Sequence, residues 1–134
     1  LLLDLVCDAE RVLVFDAIDF GLPPGTLKVL RDAEVPAWAG AKVSLHQASF
    51  QEVLALARLR GREPRSVTLV GVQPAVLADF GGSLTEVVRP RVAEAVAVAV
   101  AELAAWGHAC VARTGAPGER LNADSIALAA YESG

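Results

Sequence analysis

Four consecutive apolar residues, Val12-Leu13-Val14-Phe15, run straight into an acid, Asp16. A short unbroken apolar run reads as a strand buried on both faces, the condition of strands in parallel sheets. The run is therefore expected to be a central strand, with Asp16 delivered to its carboxyl-terminal end. In open α/β sheets that edge is where ligands bind. Further on, His46-Gln47 stands just before an amphipathic stretch. A histidine reaching the same edge from a helix amino terminus would add a nitrogen donor to the carboxylate oxygen, the start of a metal site. The plainer assignment stays open beside it: an acid closing a strand serves a turn, and a histidine at a helix start faces solvent.

The rest of the chain reads in α/β order. Leu1 to Asp8 fits the last turns of a helix, with Leu2, Leu5 and Val6 on one face. After a loop at Phe20-Gly21-Leu22-Pro23-Pro24-Gly25, Thr26 to Arg31 reads as a shorter strand with a polar side. The connection from the first strand is too short for a parallel return, so this strand is expected to be antiparallel and at the sheet edge. Asp32 to Val43 reads as irregular. Gln47 to Arg60 carries Phe50, Val53, Leu54 and Ala57 at helical spacing, and Gly61 sits where a helix stops. Ser66 to Val72 is a second strand of buried character, closed by Gln73-Pro74. Ser83-Leu84-Thr85-Glu86 matches a capping box, and one helix kinked at Pro90 is expected to run from there to Trp106, with Gly107 as its stop; the alternative is a helix that starts with Pro90 at its first position. Val88, Val92, Val96, Ala99, Leu103 and Trp106 form its expected core stripe. A short helix is expected over Asp124 to Tyr131.

Composition narrows the function. With 134 residues, 54% of them apolar, the chain can bury a core, which excludes a disordered protein. The Ala/Val run from Ala93 to Ala105 is interrupted by Glu94 and Glu102, which excludes a membrane span. Net charge is −4, and the cluster of Arg58, Arg60, Arg62 and Arg65 is broken by Glu63 and Pro64, so it reads as a solvated helix end and not a nucleic-acid footprint. Cys7 and Cys110 are too few and too far apart for a disulfide framework or a zinc site, and read as reduced structural thiols. The opening Leu1-Leu2-Leu3 meets Asp4 at once and has no basic start, unlike a signal peptide. With no methionine anywhere and an opening in mid-helix, the chain reads as part of something longer.

Five separated blocks occur in order: Val14-Phe15-Asp16-Ala17-Ile18-Asp19-Phe20-Gly21, Pro24-Gly25-Thr26, Glu34-Val35-Pro36, Ser44-Leu45-His46-Gln47 and Leu69-Val70-Gly71-Val72-Gln73-Pro74. In sequence and spacing they resemble the hydrogenase maturation endopeptidases, which trim the carboxyl-terminal extension of the [NiFe]-hydrogenase large subunit. The likeness covers about Leu1 to Gly107. It implies a three-layer α/β/α fold, a mostly parallel sheet with one antiparallel edge strand, and an incomplete peptidase-like domain over residues 1–107 followed by a peripheral tail over 108–134.

The resemblance also implies a site. The family's metal ligands are a glutamate from a glycine-rich amino-terminal motif, an aspartate after a strand and a histidine before a helix. The aspartate corresponds to Asp16 and the histidine to His46. The glutamate's strand and loop, together with a first helix and a second strand, would lie before Leu1. Asp19 is the nearest rival carboxylate and is expected to be a loop residue. Gln47 is expected to orient His46, to contact substrate or simply to start the helix, and Gln73 and Pro74 to wall the cleft or simply end the strand.

The implied activity is that of a metal-dependent, aspartic-type endopeptidase of the cytoplasm. Its partner is the hydrogenase large-subunit precursor and its metal the nickel carried by that precursor, with zinc or another divalent ion as a surrogate. Carboxylate and imidazole donors suit such ions. The ion is either catalytic or only recognised. No Ser-His-Asp or Cys-His arrangement offers a rival nucleophile, and nothing in the sequence is named as catalytic. A non-catalytic, partner-binding α/β fragment is the alternative from another class. A nucleotide-binding domain is disfavoured, since no phosphate-cradling glycine loop follows either buried strand.

Overall fold

The computed structural model describes residues 2–37, 45–76, 83–112 and 114, apart from the side chains of residues 37 and 45–49. In chain order the elements are α1 (Leu2–Asp8), β1 (Arg11–Ala17), β2 (Leu27–Arg31), α2 (Glu34–Ala37), α3 (Leu45–Leu59), β3 (Ser66–Val72) and α4 (Arg91–Ala105). The three strands form one sheet in the order β1-β3-β2. β1 runs parallel to β3, pairing Val14 with Leu69 and Asp16 with Gly71. β2 runs antiparallel to β3, with Leu30 opposite Leu69. The antiparallel edge strand is as expected. Of the two pairings only one is parallel, so the described sheet is mixed.

Among the described residues the middle strand is β3, and β1 lies at the edge of the sheet. Residues Val67 to Gly71 are all buried, whereas β1 is half-buried and Phe15 is 53% exposed. A four-residue apolar run therefore marks a strand that has apolar surface to offer on both faces. It does not reveal which neighbours cover them.

Side chains alternate across the sheet, as the pleat requires. On one face Val14, Ile18, Leu30, Val67 and Leu69 join Phe20 and Val35 in the core, with Phe50 and Leu54 of α3 packed against them. Ala57 of α3 is fully buried, so the stripe read from the helical spacing does face inward. On the other face lies α4, where Ala99 is buried and Glu102 reaches the sheet. The sheet thus sits between α3 and α4, the three-layer arrangement. α1 packs on the flank of α3, burying Val6.

Both glycine stops are realised in full. After α3, Gly61 adopts φ +64°, Arg62 N donates to Ala57 O and Gly61 N to Arg58 O. After α4, Gly107 adopts φ +91°, His108 N donates to Leu103 O and Gly107 N to Ala104 O. These are paired Schellman bonds, which close helix carbonyls at a left-handed residue that a Cβ would strain. The basic cluster at the end of α3 is consumed by ion pairs. Arg58 meets Glu63 at 2.8 Å, Arg60 meets Asp4 at 3.8 Å, Arg65 meets Glu10 at 3.5 Å, and Arg62 meets Asp8. It is the solvated helix end that the interruptions imply.

Two expectations fail. Ser83 to Pro90 does not open a kinked helix: α4 begins at Arg91 with Pro90 as its cap, and residues 86–90 form turns. The Ser83 hydroxyl accepts from Arg89 Nη2 at 2.8 Å and does not cap a helix. Proline lacks the N–H that a helix interior needs and clashes with the preceding turn, so the chain uses Pro90 at a boundary. With this shorter helix, Val92 and Val96 are 47% and 50% exposed and leave the expected core stripe. Between Asp32 and Val43 the chain is not wholly irregular, since Glu34–Ala37 forms one helical turn whose Glu34 carboxylate accepts from Arg31 N at 3.0 Å. The helix expected over Asp124 to Tyr131, and most of the tail over 108–134, lie outside the described residues.

Candidate functional site at the strand ends

Asp16 is the penultimate residue of β1, at the carboxyl-terminal end of the parallel pair. Its Oδ1 accepts from Ala17 N at 2.8 Å, which fixes the carboxylate beside the strand end. By the alternation of the strand it lies on the α3 face, where it lines a small cleft of about 20 Å³ with Ile18, Leu30, Val35, Phe50 and Gln51. That volume is room for one or two water-sized groups. His46 is the second residue of α3, four positions before Phe50 and so about one helical turn away along the same strip of the helix. Its side chain lies outside the described residues, as does that of Gln47. The backbone therefore brings the start of α3 toward the strand end that carries Asp16.

Asp19, the rival carboxylate, is occupied by the loop it belongs to. Its Oδ1 accepts from Gly21 N at 3.0 Å and from Gln73 Nε2 at 3.2 Å. This is the loop role expected for it. Gln73 does more than end a strand. It is 4% exposed, and its Oε1 accepts from Phe20 N at 2.7 Å and from Leu22 N at 3.2 Å. Pro74 follows at the same edge, half-buried.

Gly71, the register partner of Asp16, is also tied to this loop. A Cβ there would stand 2.6 Å from Phe20 Cζ and 3.2 Å from Ile18 Cδ1, so the missing side chain is the space in which the loop packs. The sequence reads Phe20 only as a loop residue and Gln73 as a cleft wall or a strand end, and neither reading includes the bonds that join them. The signal available was an aromatic beside a turn glycine, and a glutamine directly after a buried strand.

On the opposite face a second concavity of about 350 Å³ runs between the sheet and α4, lined by Phe15, Ala17, Val70, Val72, Val88 and Val96 among others. It is largely apolar, and Arg91 and the flank of Asp16 are the charged residues in its lining. Among the described residues no group of three or more His, Cys, Asp or Glu side chains gathers to hold a metal ion. The described donor at the cleft is the Asp16 carboxylate, an oxygen ligand of the kind divalent ions accept. Cys7 and Cys110 are both free thiols, and no described helix is long and apolar enough to cross a membrane.

The geometry defines an α/β domain with the Asp16 carboxylate at the strand ends, in a cleft shared with Phe50 of a helix whose second residue is His46. The sequence model for hydrogenase maturation proteases matches residues 1–102, and the chain belongs to that family. It is 54% identical over 129 residues to the hydrogenase expression/formation protein HupM of Azotobacter chroococcum mcd 1, a match covering 96% of this chain and 61% of that protein. It is 35% identical over 113 residues to the hydrogenase 2 maturation protease of Escherichia coli K12, covering 84% of this chain and 68% of the other.

Among solved structures it matches the hydrogenase maturating endopeptidase HybD of Escherichia coli with a TM-score of 0.72 and 36% identity, over 79% of this chain and 65% of that one. A second match, the solution structure of an endopeptidase from Escherichia coli, has a TM-score of 0.74 and 33% identity, over 81% of this chain and 67% of that one. The chain spans 61% and 62% of the length of two curated Azotobacter relatives.

Proposed function

We propose that this chain is the body of an endopeptidase that removes the carboxyl-terminal extension of the [NiFe]-hydrogenase large-subunit precursor once nickel has been inserted. Asp16 and His46 recognise the nickel carried by that precursor. The observation that carries this reading is the placement of Asp16 at the end of β1, on the α3 face, in a cleft shared with Phe50, one turn beyond position 46. A carboxylate and an imidazole offered together suit nickel and zinc alike, and leave coordination positions for groups of the precursor. Recognition of the cargo ion makes cleavage conditional on loading. The partner is the precursor itself, met in the cytoplasm.

The test is processing of a nickel-loaded precursor by the full-length parent protein carrying His46→Ala. Processing stops while the fold persists. Unchanged processing removes His46 from the site and sinks the reading.

A second reading has its own support. The chain spans 61% of the length of the HupM relative it matches. Taken by itself it then acts as a partner-binding fragment that docks on the precursor without cutting it. Binding of the precursor by this chain, with no cleavage product, separates the two.

A further inference from the structure

We propose that Gln73 is a positioning residue of this site, one whose buried carboxamide sets where the Asp16 carboxylate stands and keeps Asp19 turned into its own loop. The proposal rests on the reading of Asp16 as a ligand. One carboxamide makes four contacts: its Oε1 accepts from Phe20 N at 2.7 Å and Leu22 N at 3.2 Å, and its Nε2 donates to Asp19 Oδ1 at 3.2 Å and Pro74 O at 3.4 Å. Its backbone is bound as well, Gln73 N donating to Thr26 O at 2.9 Å and Gly25 N to Gln73 O at 2.8 Å. The loop that leaves β1 and the segment that leads into β2 are thus fastened to one residue at the end of the middle strand.

The chain between Asp16 and this clamp is short and fully engaged. Ile18 N donates to Val72 O at 2.9 Å, and Ile18 and Phe20 are buried. A shift of the loop therefore moves the end of β1. Of the two acids, Asp16 lines the cleft, while Asp19 Oδ1 takes Gly21 N and Gln73 Nε2. Only a side chain that accepts at one end and donates at the other satisfies two loop amides and a carboxylate at once. Glutamate has the same shape and keeps the acceptor end, but it sets a second carboxylate against Asp19, where like charges repel.

The experiment uses the full-length parent protein and Ni²⁺ alone as probe. The readout is the Ni²⁺ concentration that half-broadens the Ala17 amide in ¹H–¹⁵N spectra, with thermal melting as a separate measure of fold. Ala17 N is hydrogen-bonded to the Asp16 carboxylate, so its amide reports an ion held there. Outer-sphere partners of metal ligands change affinity by about 10- to 100-fold, so Gln73→Glu is expected to raise the midpoint by about tenfold or more, and Asp19→Asn/Gln73→Glu to return it to within about threefold of the parent. That double variant restores a donor facing an acceptor with the directions exchanged.

An unchanged midpoint in a folded Gln73→Glu protein overturns the proposal. So does a double variant that recovers its melting temperature but not its midpoint, since that is a structural role only. If Gln73→Glu does not fold, the double variant decides alone by the same midpoint. Asp16→Asn is the separate control: if it broadens at the parental midpoint, the ligand reading of Asp16 fails, whatever Gln73 does.

Discussion

Arg31 of β2 and Glu102 of α4 form a two-pronged ion pair across the interface between sheet and helix. Nε lies 3.0 Å from Oε1 and Nη2 lies 2.9 Å from Oε2. Thr68 of the middle strand, 2% exposed, donates its hydroxyl to Oε1 at 2.8 Å. Glu102, which reads in the sequence as a charge interrupting an apolar helix, is therefore the polar link between α4 and the sheet.

The hydrogen bond from Arg31 holds the Glu102 carboxyl below its ordinary pKa, against the opposing effect of burial and with help from Thr68, and raises that of Arg31 in turn. A depressed carboxyl contributes stability above its unfolded pKa of about 4.3, and loses it as pH falls through the lower folded value. Glu102→Gln is expected to lower unfolding stability by about 1 kcal/mol at neutral pH, a value discounted because the Arg31 side chain is 52% exposed. Urea denaturation at stepped pH checks it: the gap between variant and parent should close in acid, and a pH-independent gap would refute the assignment.

Gly71→Ala places a methyl group 2.6 Å from the Phe20 ring, which is itself buried. Overpacking of this kind costs about 1–3 kcal/mol. Melting of Gly71→Ala and of the pair with Phe20→Leu measures it, and partial recovery in the pair is the expected result. A parental melting temperature for Gly71→Ala would mean that the loop yields freely.

Asp16→Asn removes the charge with almost no change of shape, and its amide oxygen can still accept from Ala17 N. Processing of nickel-loaded precursor by the full-length parent is expected to fall about tenfold or more, with the melting temperature unchanged. Gel-shift of the precursor on cleavage reports it, and normal turnover would exclude Asp16 as a ligand.

The outer side of β1 has no hydrogen-bonded strand among the described residues, and Phe15, Val92 and Val96 are about half exposed beside it. Unpaired strand edges flanked by apolar surface invite association. Sedimentation of the isolated chain is expected to show self-association that grows with concentration and weakens in Phe15→Lys. A monomer at all concentrations would show that this face is self-sufficient.

Much of this was legible from residue order because the signals were local. β3 carries an unbroken buried run, α3 carries its stripe from Phe50 to Ala57, and Gly61 and Gly107 mark stops that the backbone obeys. The short connection between Asp16 and Thr26 dictated an antiparallel β2. The start of α4 was misread because a capping-box pattern and a proline compete, and local spacing does not say which governs. The edge position of β1 depends on its neighbours, which no apolar run can name. The bonds of Gln73 are non-local for the same reason, since its carboxamide turns back 53 residues toward Phe20. Of the proposed ligand pair, the position of Asp16 is described by side chain and that of His46 by backbone alone.

Phe15 and Asp16 are adjacent in sequence yet face opposite layers, the ring toward the apolar hollow beneath α4 and the acid toward α3. Removing or adding one residue within Arg11–Val14 would exchange them if the pairing upstream of the change stayed put, since strand neighbours alternate. An aromatic ring would then plug the polar cleft and a carboxylate would be stranded among valines. Indels here are thus a harsher perturbation than any point change, and the first half of β1 is a segment whose length, more than its composition, is under constraint.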